Sequence, residues 1–182
     1  MINGASSNSP IRLDGNWRPA VLGHLLALDA DDRYGRFATT LSDDGIAAYV
    51  GRLDFALDLC FGTLETEGSL SGFIHLAVQC PVAELGASVA ADRRGQGRAY
   101  RLFQAALSYA RRQGIHEIHL ATGHPVARRI CQGLGYLVES NPGYPRAKVF
   151  LGQDRMALTA DVAADLPALA DSRLSIAQAI AL

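Results

Sequence analysis

The feature that most limits what this chain can become is the stretch from Val82 to Gly114. There an alternating apolar run, "VAELGASV", passes through "AADRRGQG" into a helical pattern. Leu102, Phe103, Ala106, Leu107 and Ala110 recur at three and four residues and trace one face of a helix that stops at Gly114. A glycine-bearing loop running from a strand into a helix leaves backbone N–H groups unpaired and aims the positive end of the helix dipole at the space in front of it. Gly95 and Gly97 put no Cβ in the way of an approaching oxygen. Arg93, Arg94, Arg98 and Arg101 add charge able to grip a phosphate as a fork. Such a place holds anions, a diphosphate better than one carboxylate; the bland alternative is a solvated turn whose glycines serve geometry alone. The dinucleotide pattern G-x-G-x-x-G fails, because Tyr100 stands three residues after Gly97, and no G-K-[ST] follows for a P-loop.

The remainder of the chain supplies a fold for this unit. "IRL" at 11–13 has strand character, and Pro19 precedes Val21, Leu22, Leu25, Leu26 and Leu28 at helical spacing. Past the charged stretch "DADDRYGRF", Ser42 followed by Asp43 and Asp44 reads as an N-cap for a second helix carrying Ile46, Tyr49, Val50 and Leu53. Three strand-like runs, "FALDLCFGTLE", "SLSGFIHLAVQC" and "VAELGASVAAD", separated by "ETEG" and "QCP", predict an antiparallel meander. After the long helix come strand "IHEIHLAT", helix "PVARRICQGLG", and the strands "YLVES" and "RAKVFL" on either side of "NPGYP". The expected fold class is mixed α/β (α+β), with helices covering a largely antiparallel sheet and no strict βαβ succession.

Length and charge bound the function. The 182 residues are expected to make one domain with a full core, 11–151, after a flexible tail at 1–10 and before a C-terminal extension at 152–182 expected to pack on the domain or on a second subunit. Seventeen Lys plus Arg against eighteen Asp plus Glu leave a formal charge of −1, so any anion site is local. That balance, with little aromatic interleaving near the arginines, opposes a nucleic acid partner. Cys60, Cys80 and Cys131 are odd in number and widely spaced, which disfavours both a disulfide framework and a zinc site. His116 and His119 flank Ile118 without acidic or cysteine ligands at metal spacing, so no metal is expected. Neither a secretory leader nor a run near the roughly 20 apolar residues of a membrane span is legible. The expectation is a soluble, cytoplasmic protein.

With its neighbours, the loop resembles the hallmark Q/R-x-x-G-x-G/A of the GNAT superfamily of acetyl-CoA-dependent N-acetyltransferases, matched by Arg94, Gly97 and Ala99 in "RGQGRA". The likeness extends to "AELGASV" and to Ala127, Leu134, Gly135 and Tyr136 in the later helix and turn. "DRYGRF", "AYVGRLDF" and "AELGASV" look more distantly like segments of the acetyltransferase domain of bacterial protein-lysine acetyltransferases. The resemblance implies a sheet of about seven strands flanked by about four helices, with acetyl-CoA as cosubstrate. The amides of Arg94, Gly95, Gln96, Gly97, Arg98 and Ala99 would hold the pyrophosphate, and Ser88, Val89 and Ala90 would lie along pantetheine.

It also implies a general base at Glu84, since an ammonium must lose a proton before it attacks a thioester. The plain alternative for Glu84 is a strand-end charge. Two positions depart from the family pattern. His124 stands where relatives have an Asn that contacts the cofactor, and Cys131 where they have a Tyr that protonates the leaving thiolate. A thiol can donate a proton, but Cys131 lies on the apolar helix face with Val126, Ile130 and Leu134, a packing position. His124 could cap the helix, touch the cofactor or do neither. The implied function is acyl transfer to a primary amine, a protein lysine or a small molecule, by direct attack in a ternary complex. The departures keep a non-catalytic acyl-CoA sensor as the alternative. Trp17 and "DADDRYGRF" fall where acceptor sites of the family are walled, and Asp29, Asp31 and Asp32 would suit a cationic acceptor unless they are merely solvated.

Overall fold

The computed structural model describes residues 9–65, 67–140 and 146–152. In chain order it comprises β1 (Ile11–Arg12), α1 (Arg18–Leu26), α2 (Ala30–Phe37), α3 (Asp43–Arg52), β2 (Leu59–Leu64), β3 (Leu70–Gln79), β4 (Val82–Val89), α4 (Arg98–Arg112), β5 (Glu117–Leu120), α5 (Pro125–Gly133), β6 (Leu137–Ser140) and β7 (Ala147–Phe150). The seven strands form one sheet in the order β1-β2-β3-β4-β5-β7-β6. All neighbours are antiparallel except β4 and β5, which run parallel with Val82 to Leu85 opposite Glu117 to Leu120. A parallel pair needs a crossover, and α4 supplies it.

Strand alternation sorts the core into two layers. Phe61, Ile74, Leu76, Ala83 and Leu85 point to one face and pack on Leu102, Phe103, Ala106 and Leu107 of α4. Cys60 and Phe73 point to the other, against Val21 and Leu25 of α1, Phe37 of α2 and Ile46 and Val50 of α3. Each fully buried Leu or Phe contributes about 2 kcal/mol. These contacts hold α1 together, because nine residues including Gly23 form a marginal helix alone.

The structure differs from the sequence expectation in three places. "DADDRYGRF" is a helix, not a linker, which brings the helices among the described residues to five, against about four expected. Its carboxylates are partly structural: Asp29 caps α2 by accepting from the N–H of Asp32 at 2.8 Å. Residues 55–58 form a turn, with the Asp54 carboxylate accepting from the N–H groups of Ala56 and Leu57 at 3.0 and 3.2 Å, so β2 begins at Leu59. "AAD" at 90–92 leaves the strand for a short 3-10 turn. The tail before Ser9, "NPGYP" and the extension beyond Gly152 lie outside the described residues. No described helix is long and apolar enough to cross a membrane.

Buried polar groups tie the helices to the sheet. His24 Nδ1 donates to the Leu70 carbonyl at 3.0 Å, which leaves Nε2 to accept from the Ser88 hydroxyl at 2.9 Å. Burial pushes the His24 pKa down to about 4 from 6.5; the Arg36 charge adds to the fall and the Leu70 carbonyl opposes it. Burial lowers His75 as well, against the pull of Asp58. Between pH 6.5 and 4 the unfolded chain binds a proton at His24 that the folded state refuses, so stability falls as pH falls. We expect His24→Gln to reduce the stability lost between pH 7 and pH 4.5 by about 2–3 kcal/mol in urea unfolding. An unchanged loss would remove His24 as its source.

Candidate active site

The site forms where β5 leaves β4. The last bond between them runs from the Ala121 N–H to the Leu85 carbonyl at 3.0 Å, after which β4 continues to Val89 paired only with β3. The backbone of residues 86–89 thus has a free edge facing a cavity of 580 Å³. One wall is Leu85 to Val89 and another Leu120 to Thr122; α2 contributes Asp31, Asp32, Gly35 and Arg36, and the glycine loop with the first turn of α4 closes the end. The Thr122 hydroxyl donates to the Gly35 carbonyl at 2.6 Å and pins α2 over the gap.

The loop has the conformation that its glycines permit. Gly95 and Gly97 have φ of 74° and 72°, the left-handed region that side chains disfavour. Gly97 is the N-cap of α4 and offers no side chain to its first turn. Among the described residues no protein acceptor takes the N–H groups of residues 95–100. These are the orphan donors of a helix start, converging on the cavity. The arginines are engaged differently from the sequence expectation. Arg94 pairs with Asp32 across the cavity mouth. Arg98 turns inward, 6% exposed, and donates to Glu65, Ser71 and Gln96. Arg93 lies 3.7 Å from Glu65. The backbone, more than the guanidinium groups, therefore presents donors here.

Other predicted residues separate into those at the cavity and those away from it. Ser88, Val89, Arg94, Gly95, Gly97, Arg98, Ala99 and His124 line it. Ala90 does not, and its N–H is committed to the Ser71 carbonyl at 2.9 Å. Gln96 is exposed and accepts from Arg98 at 3.2 Å. His124 caps α5, Nδ1 accepting from the Val126 N–H at 3.2 Å, and also borders the cavity. Glu84 sits just behind the wall formed by Leu85 and Gly86. It is 8% exposed, with Oε1 unpartnered and Oε2 3.9 Å from Arg146. Cys131 lies in the core beneath α5, 0% exposed, and burial pushes its thiol up to about 12. That placement makes it a packing residue, not a proton donor facing the cavity. Trp17 and Tyr136 pack against the two core layers. His119 pairs with Glu117 at 2.5 Å.

Sequence reasoning missed one group. Arg36 is 2% exposed, lines the cavity, and donates through Nη2 to the Tyr49 hydroxyl at 3.3 Å. Tyr49 in turn is 2.7 Å from His75 Nδ1, and His75 Nε2 is 3.2 Å from Asp58 Oδ2 without the angle of a hydrogen bond. The overlooked signal was helical: Asp29 before an acidic first turn and Arg36 in the last turn mark a capped helix.

Comparison with known proteins places the arrangement. The model of the Acetyltransferase (GNAT) family matches residues 24–136. No curated protein matches the sequence. Among solved structures, the GNAT domain of S. lividans PAT superposes with a TM-score of 0.61 at 13% identity, covering 78% of this chain and 88% of that one. A GNAT superfamily phosphinothricin acetyltransferase from Sinorhizobium meliloti, in complex with AcCoA, gives 0.57 at 12% identity, covering 78% and 85%. Spermidine N-acetyltransferase from Vibrio cholerae, in complex with CoA and spermine, gives 0.57 at 18%, covering 78% and 92%.

The placement of the cysteines has a direct consequence. Native protein treated with iodoacetamide at pH 8 should take up one label, at exposed Cys80, and three after denaturation, because Cys60 and Cys131 are buried with thiols pushed up to about 12. Native labelling of Cys131 in a peptide map would contradict the packing role.

Proposed function

The chain belongs to the GNAT family of acetyltransferases, and from that premise we propose that it transfers an acetyl group from acetyl-CoA to a primary amine in a ternary complex. The observation that carries this reading is the array of unpaired N–H groups at 95–100, set at the end of a cavity beside the free edge of β4. The residues fit the cosubstrate: a diphosphate meets backbone donors and a helix dipole at Gly95 to Ala99, where no Cβ intrudes. The edge of residues 86–89 offers amide partners for the pantetheine arm. Acetyl-CoA supplies the activated acyl group.

The chain's own part is to bind, orient and remove a proton. Holding both reactants in one cavity converts a bimolecular encounter into a local one. Glu84 shares its strand face with Gly86 and Ser88, and its unpartnered Oε1 is the acceptor for the proton an ammonium must lose. Glu84 takes that proton, directly or through water, before the neutral amine attacks the thioester carbonyl; as the C–N bond forms and the C–S bond breaks, the nitrogen sheds its second proton to solvent and coenzyme A leaves as the thiolate. No side chain at the position of Cys131 reaches the leaving group, so solvent is its proton source.

A second reading, an acyl-CoA sensor without turnover, is favoured by the same burial of Cys131 and by Glu84 standing behind the cavity wall. It predicts saturable acetyl-CoA binding with no thiol release for any amine.

Gly97→Glu places a negative charge among the N–H donors at a φ that a side chain resists at a cost of about 1 kcal/mol. It should weaken coenzyme A binding at least ~100-fold by isothermal titration while the protein still melts cooperatively. Retained affinity in that folded variant would sink the cosubstrate assignment. Glu84→Gln should leave coenzyme A affinity unchanged and lower kcat roughly 100-fold at neutral pH, with loss of the acid limb of the pH–rate profile. A profile identical to the parent would take Glu84 out of the mechanism.

A further inference from the structure

Arg36 has no partner that accounts for its burial. Its guanidinium lies over the rings of Phe73, Phe37 and Tyr49 at 4.9, 5.2 and 5.9 Å from their centroids. Among the described residues its single hydrogen bond is the 3.3 Å contact to Tyr49, and Nε and Nη1 have none. It forms no ion pair among the described residues, although other basic residues there do pair with carboxylates, Arg33 with Asp43 at 2.8 Å among them. Aromatic faces stabilise a cation but do not satisfy its N–H donors. A buried charge with open donors is costly unless an anion meets it, and an orphaned group of this kind requires an explanation.

The location says what the anion is attached to. Arg36 lines the cavity, and its Nε and Nη1 are closed off from solvent, so a ligand in that space engages them once the side chain turns toward it. Phe73, under the guanidinium, stands opposite Ser88, and His75, two residues on, opposite Gly86. Arg36 therefore abuts β4 on the face that carries Glu84, Gly86 and Ser88, before the chain reaches the glycine loop. The phosphates of the cosubstrate have their donors at that loop. An anion at Arg36 belongs to the other reactant. Of the acidic residues at the start of α2, Asp29 caps the helix and Asp32 pairs with Arg94, which leaves Asp31 as one exposed carboxylate at the cavity.

We infer that Arg36 is the anion subsite of the acceptor pocket, so that the amine acetylated by this protein carries a carboxylate. The inference rests on the acetyltransferase reading and names the substrate class within it. A planar carboxylate accepts from two guanidinium N–H groups at once, and the apolar rings around Arg36 strengthen that contact by excluding water. The acceptor is then zwitterionic, its ammonium toward Glu84 and its carboxylate toward Arg36.

The test pairs amines of one skeleton with and without the carboxylate: L-phenylalanine with phenethylamine, L-lysine with cadaverine, and 5-aminopentanoate with butylamine. Spermidine and a lysine peptide serve as further probes. Thiol release from acetyl-CoA is followed for the parent, Arg36→Gln and Arg36→Lys. At least one carboxylated amine should be preferred over its partner by roughly 10–100-fold in kcat/KM, as a charge-assisted bond predicts. Arg36→Gln should erase that preference by raising KM for the carboxylated amine roughly 10–100-fold more than for its decarboxylated partner, with the titrated coenzyme A affinity kept. Arg36→Lys keeps the charge without the fork and should retain part of the preference, which preserves the test if Arg36→Gln melts below the assay temperature. Preference for spermidine or for the peptide, or a carboxylate preference that survives Arg36→Gln, overturns the subsite while acetyl transfer stands. If no amine releases thiol, acetyl transfer fails, and titration of the same amines into the coenzyme A-loaded protein decides the subsite: carboxylate-dependent binding lost in Arg36→Gln supports it, and its absence overturns it.

Discussion

Everything at the site depends on the loss of pairing between β4 and β5 beyond Leu85. In a sheet whose other neighbours are antiparallel, this one parallel pair forces a crossover, and α4 makes it. The crossover starts in a left-handed glycine turn and so delivers a helix N-terminus to the end of the same strand. The splay frees a backbone edge, and the helix start frees N–H groups. A cavity of 580 Å³ borders both, and its donors are backbone groups that require no side-chain ordering to face it.

The opposite layer solves a different problem. α1 to α3 cover the sheet face that carries Glu84, Gly86 and Ser88, and they do so with polar groups embedded among apolar ones. His24 bonds Ser88, Thr122 bonds Gly35, and Arg36, Tyr49 and His75 form a line from α2 to β3. Most of these groups are paired, as buried polar atoms must be. Among the described residues, the buried side-chain atoms that are not paired are Arg36 Nε and Nη1, Glu84 Oε1, His75 Nε2, Thr63 Oγ1 and Arg128 Nε. Of the residues that carry them, Arg36 lines the cavity, and an unmet donor of a residue at a cavity is where a ligand group is to be sought.

Much of this was legible in the residues. The meander, the loop and α4 were marked by alternation, by glycines and by one apolar face, all local signals read over fewer than about twenty residues. α2 was not, because its eight residues are mostly charged and the one apolar anchor, Phe37, leaves no periodicity to detect. Capping chemistry at Asp29 was the available signal, and a charged run reads first as solvated. Cys131 was placed in its family position by motif and on an apolar face by spacing; burial decides for packing.

By itself the sequence determined the described elements other than α2, their order and the loop that presents bare backbone, because these follow from local propensity, patterning and steric freedom at Gly95 and Gly97. It could not determine which charges would be used up. That Arg94 and Arg98 are tied to Asp32 and Glu65 while Arg36 keeps open donors depends on pairs separated by 62 and 33 residues in the chain. Electrostatic pairing is a property of distance in space, and only the tertiary fold sets that distance.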